Sequence, residues 1–442
     1  MTGSLLGNWA DLGGIAAIAA SVRAGHLDPV LLAQRALRRA DERARLGAVV
    51  HLDRDGALDA AAAAGRARAG ALAGVPVLVK EIIAVARLPW TCGSDVRADC
   101  VAAADAAVVH RVRAAGGVII GLCHSHEFAY GCTGTVNRAG PCRNPHDPER
   151  MTGGSSSGAA AAVAAGVVPL ALGTDTAGSV RIPAALCGVV GAKPARDTLP
   201  TDGVFPLAGS LDHVGVLTGS VADARYTVGV LAGDTGQAVL PVGAPRLGLL
   251  AVEDPSPAVA TAFSSAVATL TAAGADVVDV SLPEWDAIGA TLADLQGPEA
   301  AAIHADAMAG RAEDYQPDVR DRLRLAAEVP GWRYVRARSR VAELTSAIDG
   351  LLNSVDAVLL PTVPIVAPSL DTTDVELPTG RVPVRAALLR YTRAVNVTGH
   401  PAISLPLSPA GLPVGLQVVA TDNQKAFAVA EWVAAAVERG AR

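Results

Sequence analysis

Apolar residues along this chain fall into two recurring patterns, and the two alternate. Ala-rich stretches with helical spacing at 13–24, 29–45 and 56–70 predict that residues 10–70 are mainly helical. The run "GVPVLVK", 74–80, is unbroken, β-branched and bounded by Gly and Pro, which predicts a buried strand. A helix over 105–116 ends on Gly and feeds a strand at 117–123; the proline-broken segment 140–150 reads as loop. Further along, the pattern predicts a helix at 157–166, a strand at 167–175 and a short helix at 181–191 entered through Pro183. Helices at 221–232 and 257–273 then alternate with strands at 246–252 and 276–280. Residues 284–353 are mainly helical and less patterned, and strands at 356–361, 402–407 and 414–420 surround a helix at 383–396 before a final helix at 425–439. Strands alternating with helices indicate an α/β layered fold around a largely buried sheet. Neither an internal repeat nor a linker interrupts the chain, so 1–442 reads as one domain.

Composition narrows the function more than the fold. Of 442 residues 51% are hydrophobic and 18% charged, enough for a sizeable core, and the net charge of −6 gives no electrostatic case for nucleic acid or an anionic membrane. The six cysteines (92, 100, 123, 132, 142 and 187) show neither CxxC nor Cys/His metal spacing, and a chain of this size needs no disulfide staples, so they read as reduced thiols. The first residues lack the basic-then-apolar pattern of a signal peptide, and the longest apolar stretch, 155–172, is mostly Ala and Gly with Pro169 inside. Cytoplasm is the expected location. Only three of the 37 basic residues are lysines: Lys80, Lys193 and Lys425. Nucleotide bias produces such a skew, but so does retention of Lys where a proton must be lost near neutral pH, a task closed to Arg.

The stretch "MTGGSSSGAAAAVAAG", 151–166, sets three serines at the entrance of an apolar helix. It lacks the Lys of a phosphate-binding loop. It matches the G-x-S-x-G nucleophile turn with Ser156 central, but a loop precedes it where that motif requires a strand. Helix capping by one of the serines is compatible with either outcome. A second turn, "ALGTDTAGSVRIPAALCG" at 171–188, runs from strand through Thr-Asp-Thr-Ala-Gly to Ser179 and then helix. Small residues before Ser179 let backbone amides approach a substrate oxygen, so this serine sits where a nucleophile beside an oxyanion hole would. No histidine stands near either motif in a pattern that suits a base, whereas Lys80 ends a buried strand.

With these motifs in order, the chain resembles the amidase signature family of serine hydrolases with a Ser–cisSer–Lys triad. "GVPVLVKEII", "HSHEFAYGCTG", "GPCRNPHDPERMTGGSSSGAAAAVAAG", "VPLALGTDTAGSVRIPAALCGVVGAKP", "SLDHVGVLTGSVADA" and "NVTGHPAISLP" all match its segments. Lys80 precedes Ser155 by 75 residues and Ser155 precedes Ser179 by 24, spacings similar to those of other members. The resemblance implies a single large α/β domain with a central mixed, twisted sheet covered by helices on both faces. The catalytic core would span 74–220 and the helical pocket region 284–353. It further implies Ser179 as nucleophile, Ser155 after a cis peptide as the bridging serine and Lys80 as base. The amides of Thr176, Ala177, Gly178 and Ser179 would form the oxyanion hole, with Tyr130, Gly131 and Cys132 at the acyl pocket. Many members have Gly where Ala177 stands, so the added methyl implies a narrower acyl site; Glu81 replaces a commoner Asp. No cofactor and no metal is implied. The expected partner is a small-molecule amide, with no nucleic acid and no membrane, and a homodimer is allowed.

Other polar residues read as structural. Asp175 orients the turn, Arg181 forms an ion pair, Lys193 anchors a loop, and "RYVRARSR" at 333–340 is a solvated helix face. The leading expectation is an amide hydrolase acting on a small carboxamide or related C–N acyl bond. The alternatives are an allophanate- or carbamoyl-type hydrolase, suggested by "DTAGS", and a glutaminase component active only within a transamidating assembly.

Overall fold

In the computed structural model, which describes residues 9–234, 243–252, 255–407 and 411–440, the buried strand at Lys80 lies well inside a wide sheet. The strands are β1 (Val49–Leu52), β2 (Pro76–Lys80), β3 (Val118–Cys123), β4 (Leu170–Thr174), β5 (Val190–Lys193), β6 (Val214–Thr218), β7 (Arg246–Leu250), β8 (Asp276–Val280), β9 (Ala357–Pro361), β10 (Asp374–Leu377), β11 (Gly380–Pro383), β12 (Ala402–Leu407) and β13 (Val414–Val419). Eleven of them form one mixed sheet in the order β1-β3-β2-β4-β6-β5-β12-β13-β9-β7-β8, and β10 and β11 form a separate hairpin. The helices are α1 (Gly14–Arg23), α2 (Pro29–Glu42), α3 (Arg54–Ala67), α4 (Ala107–Ala114), α5 (Ser157–Ala164), α6 (Arg181–Cys187), α7 (Val221–Ala232), α8 (Pro257–Ala272), α9 (Trp285–Arg311), α10 (Pro317–Ala327), α11 (Gly331–Leu352), α12 (Val384–Leu389), α13 (Ala394–Thr398) and α14 (Asn423–Gly440).

The sheet separates two apolar cores, and the period-2 geometry of a strand assigns its residues alternately to each. On β9, Ala357 and Leu359 join the core that also holds residues of α1, α2, α7, α8 and α14. Val358 and Leu360 join the other, with residues of α9, α11, α12 and α13. Helices on both faces bury the central strands twice, which explains why β2 reads as an unbroken apolar run. This is a single α/β domain with a mixed sheet flanked by helices, as the sequence predicts.

Several local expectations are corrected. Residues 10–70 are not helical throughout: β1 interrupts them as a four-residue edge strand antiparallel to β3, too short to show a period of its own. The helix read as 181–191 stops at Cys187, and the chain turns to form β5, which pairs with β6 and β12. Strand β6 and the β10–β11 hairpin lie in segments where no strand is predicted. The helix read as 383–396 is two short helices, α12 and α13. No helix among the described residues is long and apolar enough to cross a membrane.

The functional end of the sheet follows from register. β2 runs parallel to β4 with Val79 opposite Leu172, so Lys80 and Thr174 finish at the same edge. Helix α5 is made of Ser, Gly, Ala and Val, all but the last of its residues buried, and these small side chains let its N-terminus sit against β2 and β4.

Candidate active site

Lys80 is fully buried at the end of β2, and its ammonium faces hydroxyls rather than a carboxylate. Nζ donates to Ser155 Oγ at 2.7 Å, Thr174 Oγ1 at 2.8 Å and Ser156 Oγ at 3.0 Å. Burial without a neighbouring counter-ion disfavours the charged form, and the Lys80 amine is pushed down to about 7; more distant carboxylates of Asp175, Asp212 and Glu81 offset this only in part. Ser156 Oγ in turn donates to Thr174 O at 3.1 Å and accepts from Thr174 N at 3.2 Å, tying the end of β4 to the entrance of α5. The Gly154–Ser155 peptide is cis. No side chain of the serine cluster caps α5: the Ser157 hydroxyl donates to Ser155 O at 3.4 Å.

Ser179 stands on the turn after β4, and its main-chain oxygen accepts from Ser156 N at 3.1 Å, which joins the two glycine-serine segments. No hydrogen bond connects the Ser155 and Ser179 hydroxyls. Ser179 lines a narrow cleft shared with Ala129, Tyr130, Gly131, Cys132 and Ala177, and Leu207, Gln296, Arg385 and Leu389 complete the lining.

A buried ion pair holds the turn. Asp175 Oδ1 and Oδ2 accept from Arg181 Nη2 at 2.9 Å and Nε at 3.0 Å, and also from the amides of Gly178 at 2.8 Å and Val180 at 3.1 Å. Burial alone would raise the Asp175 carboxyl; the charge and hydrogen bonds of Arg181 overcome it and hold the group well below the usual carboxylate range. The remaining Arg181 donors reach Thr392 O, Gln417 Oε1 and Asn396 Oδ1 at 2.9, 2.6 and 2.6 Å, so all five guanidinium N–H groups are used. This is a structural pair, as the sequence suggests for both residues. Lys193 closes β5, fully buried, and donates to Pro194 O at 3.1 Å, at the start of the loop that follows.

The oxyanion expectation changes at one position. The Gly178 amide is committed to Asp175 and does not face the cleft, whereas the amides of Thr176, Ala177 and Ser179 have no hydrogen-bond partner among the described residues. Gly178 instead serves the turn through its conformation: φ is +129°, and a Cβ there would lie 2.2 Å from Thr392 Oγ1, the hydroxyl that donates to Ala177 O at 2.6 Å. Ala177 keeps an ordinary φ, so its methyl adds bulk to the cleft without straining the backbone.

Tyr130, Gly131 and Cys132 do line the cleft. The preceding Phe128 and Ala129 both take left-handed conformations, φ +49° and +58°, with Phe128 held by packing on Phe205 and His304. Gly131 lies against the ring of His126, where a Cβ would come within 2.0 Å of Nε2. Burial pushes the Cys132 thiol up to about 11, which disfavours the thiolate that a nucleophile needs. Sequence reasoning missed Thr174 and Ser156 as lysine partners, although both lie inside recognisable motifs. It also missed Asp212, which accepts from Thr176 Oγ1 at 2.6 Å. Gln296 and Arg385 carry no local signal at all. Among the described residues no three His, Cys, Asp or Glu side chains cluster as a metal site would require.

A family model described as Amidase matches residues 32–426. The 1-carboxybiuret hydrolase subunit of Pseudomonas sp. (strain ADP) is 35% identical over 371 residues, covering 79% of this chain and 80% of its own. A glutamyl-tRNA(Gln) amidotransferase subunit of Symbiobacterium thermophilum is 34% identical, with 90% of each chain covered. A solved amidase structure superposes with a TM-score of 0.90 at 34% identity, covering 96% of this chain and all of the other. A family match across most of the sequence and a shared fold lead to one conclusion: the chain belongs to the amidase family, hydrolases of C–N amide bonds.

Proposed function

We propose that this chain cleaves a small carboxamide through an acyl-enzyme on Ser179, with Lys80 as base and Ser155 as proton relay. The observation that carries the reading is the Lys80 amine, buried among three hydroxyls and 2.7 Å from Ser155 Oγ. An amine held near neutrality is uncharged often enough to accept a proton. Neutral Lys80 takes the Ser155 proton as Ser155 takes that of Ser179, and Ser179 Oγ adds to the amide carbonyl carbon. The amides of Thr176, Ala177 and Ser179 receive the negative charge that develops on oxygen. As the intermediate collapses, the C–N bond breaks and the proton returns through Ser155 to the departing nitrogen. Water then enters with the same proton path reversed, releases the carboxylic acid and restores Ser179. The scheme requires a Ser155–Ser179 hydrogen bond in the reacting complex, where such catalytic contacts commonly tighten.

Two neighbouring readings have specific support. A relative named for 1-carboxybiuret hydrolysis favours a carbamoyl-type substrate, and the amidotransferase relative favours a partner-dependent glutaminase. Base, relay, nucleophile and cleft all come from this one chain, so activity of the isolated chain separates the readings. The test is ammonia release by the isolated chain over a panel of small amides, with a fluorophosphonate adduct mapped by mass spectrometry. Turnover and an adduct on Ser179 are expected. An adduct on Ser156 or Cys132 overturns the assignment, and silence of the isolated chain turns the reading toward a component of an assembly.

A further inference from the structure

Taking the cleft over Ser179 as the acyl site of the proposed hydrolase, we infer that its substrate carries a carboxylate, which Arg385 binds. Arg385 sits on α12, whose backbone is fixed to the cleft wall where Cys132 Sγ donates to Arg385 O at 3.8 Å. Its side chain lines the same cleft as Ser179. The Nε is buried with no hydrogen-bond partner, and no carboxylate pairs with the guanidinium among the described residues. Arg181 gives the contrast within one molecule. It is a buried arginine with a structural task, and each of its five donors is matched.

The charges around Arg385 do not cancel. Arg322, whose guanidinium lies 5.5 Å from the Tyr130 ring centroid, pairs with Asp318 and leaves its own buried Nη1 without a partner. Asp318 is also 3.6 Å from His126 Nε2, but burial keeps that imidazole neutral at ordinary pH. Two guanidinium groups therefore share one carboxylate, and Arg385 is the cation in excess. Guanidinium does not shed its proton to relieve burial, so a buried Nε without an acceptor is a cost that an anionic ligand removes. Its planar edge of paired N–H donors matches the two oxygens of a carboxylate. The cleft is narrow and its other walls are largely apolar. The ligand class that fits is a small, singly charged amido acid, with a short carbon spacer between the amide placed at Ser179 and the carboxylate at Arg385.

The experiment is calorimetric binding to the Ser179→Ala chain of succinamate and glutaramate, each beside its uncharged diamide. At least one acid is expected to bind about tenfold or more tightly than its diamide, the order of a charge-assisted hydrogen-bonded contact. Adding Arg385→Met should reduce that ratio to about twofold or less, and Arg385→Lys, which keeps the charge and loses the fork, should retain part of it. Thermal melts of both variants establish that they fold; if Arg385→Met does not, Arg385→Gln takes its place. Equal affinity for acid and diamide, a preference that survives loss of Arg385, or no binding of either acid overturns the inference. Fluorophosphonate labelling of the unaltered chain separates the two levels. An adduct on Ser179 without acid preference refutes the carboxylate site alone. Acid preference without adduct or amide turnover refutes the hydrolytic role alone.

Discussion

Replacing Lys80 by Arg keeps a positive charge at the end of β2 but removes the capacity to become neutral. From its ordinary value of 10.5 the amine is lowered to about 7 by burial, so about half of the molecules hold the free base at pH 7. Without the shift the fraction would be about one in 3,000. Guanidinium supplies essentially none. General-base catalysis contributes about 10²–10⁴-fold, so Lys80→Arg should lose at least about a hundredfold in kcat/KM, about 2.7 kcal/mol of transition-state stabilisation. The assay is ammonia release from pH 5 to 10 on the best amide of the panel. Because the neutral amine is the active form, the wild-type rate should fall about tenfold per unit as pH drops below about 7 and level off above it. Thr174→Val assigns the titration to Lys80. It deletes a hydroxyl that accepts from the ammonium at 2.8 Å, so the charged form loses support and the midpoint should move to lower pH. A wild-type profile flat from pH 5 to 9, or a Lys80→Arg chain within tenfold of wild type, would refute the scheme.

Three further outcomes are expected. Ser179→Ala should abolish amide turnover and fluorophosphonate labelling while its circular dichroism and melting temperature match wild type; residual labelling elsewhere in the cleft would point to another nucleophile. Asp175→Ala leaves the Arg181 guanidinium buried without its counter-ion, and denaturant unfolding should show a loss of about 3–5 kcal/mol; a loss under 1 kcal/mol would mean that the pair does not hold the turn. Gly178→Ala forces a Cβ onto the Thr392 hydroxyl at φ +129°. That strain costs about 1–3 kcal/mol, and kcat should fall with it as the Ala177 amide shifts; unchanged kcat would remove that amide from the oxyanion site.

The sequence by itself determined the alternation of strands and helices, the two glycine-serine turns and the unusual lysine. Each of these is written in neighbouring residues: a β-branched run ending in Lys80, a serine triplet opening an alanine helix, a strand running into Thr-Asp-Thr-Ala-Gly-Ser. Local pattern also failed where elements are shortest, at β1 and β6, because four or five residues do not establish a period against helical surroundings. Tertiary structure alone decided what the charged side chains do. Arg181 and Arg385 each stand in a short helix with ordinary neighbours. One is saturated by acceptors that include Thr392, Asn396 and Gln417, more than 200 positions away, and the other faces the Ser179 cleft without a counter-ion. Likewise the free-base character of Lys80 follows from its complete burial by segments 75 to 94 residues distant, those of Ser155 and Thr174 among them. Desolvation and charge pairing depend on what surrounds a group in space, and the sheet brings those surroundings together from segments that carry no mark of one another in the chain.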